Sequence, residues 1–227
     1  VFLKLLNAQN IRYAVLRNYE GLPKRNKSKD VDILFEPSKI NLVQKILFEC
    51  ASRIGYQLIW TNSLDYLIGF VFVKVGDIVK TVKIDLFIGF RWRGIEYLNA
   101  KEIISKRKKY KNIFILDSID ESIASYFYYC LYAKEIRSKY HDNIIKNFKS
   151  PKVLFRLNKI FNYNYNKELI KDIISDIDGS IKKHRKKIII KLFFKSLGLK
   201  YLSRFFKHLY TEYILRIKFG YFISFSG

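Results

Sequence analysis

Cysteine is nearly missing from this chain: its 227 residues hold two, Cys50 and Cys130, each inside an apolar, helix-like stretch. Without a Cys-x-x-Cys pair or a cysteine–histidine grouping, a structural zinc site has no ligand set to draw on. Two isolated thiols in apolar surroundings fit a reducing, cytoplasmic setting. Acidic residues are scarce as well, 20 against 43 lysines and arginines. No apolar run reaches the roughly 18 residues needed to span a bilayer, and the opening residues do not read as a secretory leader. No internal repeat is visible. RNP motifs, a helix-turn-helix signature and zinc knuckles are missing too, which leaves sequence-specific nucleic-acid reading without support.

Hydrophobic residues, by contrast, make up 49% of the chain and aromatics 17%, ample for a packed core and unlike a disordered segment. The formal net charge of +23 points to a phosphorylated or polyanionic partner, nucleic acid included, or to an anionic membrane surface. That charge is uneven. Residues 181–218 carry twelve Lys or Arg and one acid, Glu212. Within them Lys182-Lys183-His184-Arg185-Lys186-Lys187 suits nucleic acid or lipid headgroups, so a cytoplasmic protein lying peripheral to the membrane is one expectation. The same run reads equally as the solvated face of a helix. His141, His184 and His208 are scattered, with no ligand-like spacing.

Periodicity predicts an α+β fold: a small mixed β-sheet with flanking helices, followed by an all-α region. Residues 1–9 read as an amphipathic helix, 12–17 as a strand, 18–29 as a polar loop and 30–36 as a second strand. Pro37 opens a helix that runs toward residue 54. Residues 56–62, 66–75 and 79–88 read as three further strands, with a turn at Gly76-Asp77. Val82, Ile84, Leu86 and Ile88 recur with a period of two. A short strand at 113–116 precedes Ser118 and Glu121, a Ser-x-x-Glu capping box. The helical pattern continues from there, with loops expected near 149–151, 162–166, Gly179 and Gly198. The predicted boundaries are 1–116 for an α/β domain, 117–218 for a helical domain and 219–227 for one more strand.

Asp30 and Asp32 lie two apart at the start of a predicted strand, so both carboxylates point the same way. At ~4 Å and an effective dielectric near 20 they repel by ~4 kcal/mol. A hard cation removes that repulsion, and carboxylates together with substrate phosphates are the ligands Mg²⁺ prefers. Asp85, in Lys83-Ile84-Asp85-Leu86-Phe87, sits on the face opposite Ile84 and Leu86 of an apolar strand. An aspartate buried alone there is costly. Beside the same ion it is not, and it completes the metal site or takes the proton of an attacking hydroxyl. Asp30, Asp32 and Asp85 are therefore the expected metal ligands and catalytic set. An isolated Asp-x-Asp more often caps a turn, so the third acid on a second strand carries this reading. Asp176 and Asp178 form a look-alike, set aside because their surroundings are helical and residues two apart on a helix do not share a face.

The order of these pieces resembles the nucleotidyltransferase superfamily typified by DNA polymerase beta and the small antibiotic nucleotidyltransferases. A strand ends in Leu16-Arg17-Asn18, a polar loop follows, then Ser28-Lys29-Asp30-Val31-Asp32, and later Ile84-Asp85-Leu86. In that family a Gly-Ser pair follows the first strand; here Arg17-Asn18 stands in its place. Residues Tyr13 to Pro23, and Asp85-Leu86-Phe87 followed by Arg91-Trp92-Arg93-Gly94, are similar to a narrower group. These are nucleotidyltransferase-like domains of polysaccharide gene clusters, often fused to a thymidylate-kinase-like domain. The resemblance implies Mg²⁺ or Mn²⁺, a nucleoside triphosphate donor, and a phosphorylated small-molecule or glycan substrate. It places the donor phosphates on Arg17, Asn18, Ser28 and Lys29. Arg91 and Arg93 would hold a phosphate or an acidic sugar on the substrate, or are surface charge.

Residues Phe219 to Gly227 read as a strand ending in glycine, of the kind that opens a P-loop. With Val1 in the place of a methionine, the chain is expected to be the N-terminal part of a longer protein whose next domain is kinase-like. Three functions then compete. One is a metal-dependent nucleotidyl- or phosphoryl-transferase. The others are a substrate-presenting region of a nucleotide kinase and a non-catalytic polyanion-binding module. Tyr126, Phe127, Tyr128, Tyr129 and Tyr132 crowd one predicted helix and read as core packing, with a stacking surface for sugars or bases as the alternative.

Overall fold

Alternation along the strands divides the protein into two cores. The computed structural model describes residues 1–24, 30–196 and 199–210. Its main sheet is mixed and seven-stranded, in the order β3-β4-β5-β2-β1-β9-β8. The strands are β1 (Tyr13–Val15), β2 (Asp30–Phe35), β3 (Gln57–Ser63), β4 (Leu67–Lys74), β5 (Lys80–Phe87), β8 (Lys108–Tyr110) and β9 (Ile113–Ile115). A two-stranded ribbon, β6 (Phe90–Trp92) and β7 (Ile95–Leu98), stands apart. Successive side chains on a strand face opposite ways. Tyr13, Val15, Ile33, Phe35 and Leu86 thus enter one core, while Ala14 and Leu34 enter the other, with Leu16 and Phe87 packed against it.

Two helices cover the first face, α1 (Phe2–Ala8) and α2 (Ile40–Arg53). The buried residues of α2 are Val43, Ile46, Leu47, Cys50 and Ala51, a stripe at helical spacing. Each large apolar side chain in that stripe contributes about 1.5–3 kcal/mol by leaving water. A charged residue at Leu47, which is 2% exposed, would undo the docking. Pro37 begins a 3-10 turn, Pro37–Lys39, and the α-helix proper starts at Ile40.

The second face packs on the helical region. That region holds α4 (Ser118–Tyr128), α5 (His141–Phe148), α6 (Pro151–Leu157), α7 (Tyr163–Ser175), α8 (Ile177–Ser196) and α9 (Leu199–Leu209). The short helix α3 (Ala100–Ser105) precedes it. One cluster of buried residues joins Ala14 and Leu34 of the sheet to Phe127, Phe148, Leu157, Leu169 and Leu192 of the helices. At the end of α4 the chain makes a π-turn, Tyr129–Ala133, closed by Lys134 at φ 66°.

Several local expectations change. The cap of α4 is Asp117, whose carboxylate accepts from the Ile119 N–H at 3.0 Å; Ser118 is the first helical residue. Asn162 caps α7 by accepting from the Tyr165 N–H, so residues 163–166 are helix and not loop. Asp176 accepts from the Gly179 N–H at 2.9 Å, and Gly179 lies in the first turn of α8 instead of ending a helix. The ribbon β6–β7, α3 and β8 have no counterpart among the predicted elements. Each is three to six residues long, too short for a period to declare itself. Gly94 turns the ribbon at φ 78°, and a Cβ there would stand 2.8 Å from the Phe205 nitrogen. The predicted strand at 219–227 and the loop signal at Gly198 lie outside the described residues. Among the described residues no helix is long and apolar enough to cross a membrane.

Candidate metal centre

Parallel pairing of β2 with β5 sets Asp32 directly opposite Asp85, and Asp30 opposite Lys83. The carboxylates of Asp30, Asp32 and Asp85 leave the sheet on the face of Leu34 and Phe87, toward the helical region. One oxygen from each of the three acids lies within 4.8 Å of the others. Asp32 is 2% exposed and Asp85 6%. On the far side of Asp85 its partner in β4 is Gly69. A Cβ at Gly69 would stand 2.9 Å from Asp85 Oδ1, so the glycine makes room for the carboxylate.

Among the described residues Arg17 holds Asp32 and Lys83 holds Asp85. Arg17 Nε donates to Asp32 Oδ2 at 2.6 Å, and Lys83 Nζ lies 2.9 Å from Asp85 Oδ2. Arg17 also stands over the Tyr128 ring, 5.6 Å from its centroid. The remaining oxygens, Asp32 Oδ1 and Asp85 Oδ1, are buried with no hydrogen-bond partner among the described residues. Burial pushes the Asp32 pKa up, and Arg17 only partly offsets it. Burial likewise raises Asp85 against the pull of Lys83. For Lys83, burial opposes the charge, but the bond to Asp85 together with the charges of Asp85, Asp30 and Asp32 outweighs it, and the pKa rises. Three carboxylates brought together from two strands, two of them with a buried oxygen that lacks a donor among the described residues, suit a hard divalent cation. The residues present fit such an ion.

The acids form the floor of a cleft of about 1140 Å³. Its other wall comes from the end of α4 and the segment after the π-turn, with Tyr128, Tyr129, Tyr140, Arg137 and His141, and from Asp178 at the start of α8. Asp178 therefore borders the cleft without joining the three acids. His141 Nε2 lies 3.0 Å from the Ile136 carbonyl and 3.7 Å from Asp178 Oδ2.

Of the residues assigned to phosphates, Arg17 and Asn18 line this cleft, Asn18 with φ 56°. Ser28 and Lys29 lie outside the described residues. Arg91 and Arg93 stand away from the cleft, on the β6–β7 ribbon. Arg91 Nη1 donates to the Asp65 carbonyl at 2.5 Å, and the Tyr132 hydroxyl donates to the Arg91 carbonyl. Arg93 is exposed and stacks over Trp92 at 5.0 Å. Sequence reasoning missed Lys83 and Gly69. The period of two that singled out Asp85 also puts Lys83 on its face, and that signal was available. Nothing local marks Gly69, whose role depends on a partner strand.

A second group also converges: Glu168 and Asp172 on α7 with His184 on α8. His184 is 1% exposed, and its Nε2 lies 2.6 Å from Asp172 Oδ2. Lys183 Nζ reaches both acids, at 2.7 Å to Asp172 and 3.2 Å to Glu168.

No protein-family model matches the chain, and no curated protein matches it. Among solved structures, one similar chain is that of a crystal structure described as "putative nucleotidyltransferase from H. pylori". The two are 13% identical over 87% of this chain and 94% of that one, with a TM-score of 0.36.

Proposed function

We propose that this chain is a metal-dependent nucleotidyl- or phosphoryl-transferase acting on the hydroxyl of a small or glycan acceptor. The observation that carries this reading is the register of β2 with β5. It sets Asp32 against Asp85, with Asp30 two residues away, on the floor of an open cleft. Asp30 and Asp32 would hold the divalent ion, Mg²⁺ or Mn²⁺. When bound, that ion supplies neutralisation of the donor's phosphate charge. Asp85 completes the ligand set or accepts the proton of the acceptor hydroxyl, a role its burial-raised basicity suits. Arg17 and Asn18 stand where donor phosphates would lie, with Ser28 and Lys29 assigned to the same group from the loop between β1 and β2. Aligning a phosphate among fixed charges is most of what phosphoryl transfer asks of a protein. A nucleoside triphosphate as donor, and a sugar or glycan as acceptor, rest on the resemblance of the motifs around Tyr13–Pro23 and Asp85.

The test is a Mn²⁺ titration of the wild type and Asp32→Asn, followed by thermal denaturation. Stabilisation by Mn²⁺ is expected in the wild type and lost in the variant. An identical response of both proteins would remove the metal centre from this account. Turnover of a nucleoside triphosphate should then vanish in Asp30→Asn and Asp85→Asn with the fold intact.

A further inference from the structure

The floor of the cleft carries its own counter-ions. Three carboxylates face the Arg17 guanidinium and the Lys83 ammonium, which leaves one formal negative charge among these described groups. A divalent ion changes that balance to one positive charge. The protein would then favour a phosphate-bearing anion only once the ion is in place.

The two resident cations are not held alike. Arg17 is 28% exposed in its side chain, bonded through Nε and pinned over Tyr128. Lys83 is 41% exposed, and its contact to Asp85 is one bond from a single ammonium. A lysine is a point charge on a flexible stem, whereas an arginine is a rigid fork. Lys83 starts opposite Asp30 in the parallel pair and reaches Asp85 two residues along its own strand. Its ammonium thus takes up one oxygen of Asp85 and stands within the field of Asp30 and Asp32. An ammonium and a divalent ion cannot share Asp85 without strong like-charge repulsion in this half-buried place.

We infer that Lys83 is an exchangeable counter-ion. It holds Asp85 in the metal-free protein and gives way to a divalent cation. It then turns to a phosphate oxygen of the ligand in the cleft. This rests on the transferase reading of the metal centre and deepens it. Metal and polyphosphate bind as a set, each weak without the other. Arg17 remains on Asp32 throughout and keeps that carboxylate oriented.

The experiment is calorimetric titration of the whole chain with Mn²⁺ alone, then of the Mn²⁺-saturated protein with inorganic tripolyphosphate. Wild type is compared with Lys83→Met, Lys83→Gln and Asp32→Asn, each checked for folding by thermal denaturation. Both Lys83 variants should bind Mn²⁺ ~10-fold more tightly, because one competing charge is gone. Both should bind tripolyphosphate ~10-fold more weakly, because a charge-assisted contact is gone. The glutamine variant keeps a donor near Asp85 and carries the test if the methionine variant does not fold. Unchanged or weaker Mn²⁺ binding in the folded Lys83 variants overturns the exchange. Tighter Mn²⁺ with unchanged tripolyphosphate overturns the transfer of Lys83 to phosphate. Asp32→Asn separates the two levels. If it binds Mn²⁺ as the wild type does, the metal centre itself fails and the exchange falls with it. If it loses Mn²⁺ while the Lys83 variants stay unchanged, only the exchange is wrong.

Discussion

Among the described residues stand two groups of three potential ligands, and their surroundings differ in burial and in how the acids are paired. Asp30, Asp32 and Asp85 come from adjacent strands of a sheet, two of them nearly fully buried, with two carboxylate oxygens left without donors. Glu168, Asp172 and His184 come from neighbouring helices, and the two acids are 44% and 22% exposed. There Lys183 bridges the acids, Lys187 stands 3.7 Å from Glu168, and the histidine ring is already bonded to Asp172. The first group has unmet acceptor capacity and a cleft above it. In the second the acids are paired by their own chain and lie open to solvent, and the buried atom without a partner among the described residues is a ring nitrogen, His184 Nδ1, not a carboxylate oxygen. Proximity of ligands alone does not make a metal site; the unmet demand of buried oxygens does.

The sharpest way to break this contrast is to remove one acid from each group. Asp32→Asn should weaken Mn²⁺ binding by at least ~100-fold, since even supporting contacts around a metal ligand are worth ~10–100-fold. Asp172→Asn should leave Mn²⁺ binding unchanged. Calorimetric titration of both variants decides it. Loss of binding in Asp172→Asn would exchange the roles of the two groups.

Stability gives the next largest contrast. His184→Ala removes a fully buried ring that bonds Asp172 and packs edge-on against Tyr165 at 5.5 Å. It should destabilise the fold by roughly 2–3 kcal/mol, from the cavity and the lost hydrogen bond. Urea denaturation measures this, and the Mn²⁺ affinity should not move. A histidine serving as a metal ligand would show the opposite pattern.

Gly69→Ala asks whether the first group depends on its backing strand. The added methyl would sit 2.9 Å from Asp85 Oδ1 and force the carboxylate to turn. Mn²⁺ affinity should drop ~10-fold, as expected when a ligand is moved out of its productive geometry. The same substitution at Gly76, where a Cβ meets nothing within 4 Å, is the control and should leave affinity unchanged.

This dependence on a partner strand also marks where the sequence ceases to be legible. The period of two in β2 and β5 is local, so Asp30, Asp32 and Asp85, and the apolar faces opposite them, could be read directly. The strands β1 to β5 and the long helices followed from the same kind of pattern. That Asp85 lies against Gly69, or that Tyr128 and Tyr140 wall the cleft, depends on how distant segments pack, and no spacing encodes that. The π-turn at Tyr129–Ala133 and the short strands β6, β7 and β8 carry too little pattern to be seen. Asp117 took the cap from Ser118 because a carboxylate one residue earlier accepts the free Ile119 N–H and also pairs with Lys108, at 2.7 Å.

Acidity supplies the smallest effect, and its two halves run in opposite directions. Burial raises the pKa of Asp32 and Asp85, so the folded protein holds those protons more tightly than the unfolded chain does. Their contribution to stability is fully present below about pH 3.9, the unfolded aspartate value, and is lost as pH rises through the folded values. Asp172 is the reverse. Its bond to Lys183, and then that to His184, lowers its pKa. Its contribution is present above the unfolded value and is lost as pH falls through the folded one. In denaturation curves taken from pH 3 to pH 7 without metal, Asp32→Asn should flatten the loss of stability seen on raising the pH. Asp172→Asn should flatten only the loss seen on lowering it. Saturating Mn²⁺ should imitate the first variant and not the second, because an ion on Asp32 and Asp85 removes the cost of their charge. If Mn²⁺ instead flattened the acid limb, the ion would be sitting on the helices, and the ranking of the two groups would be reversed.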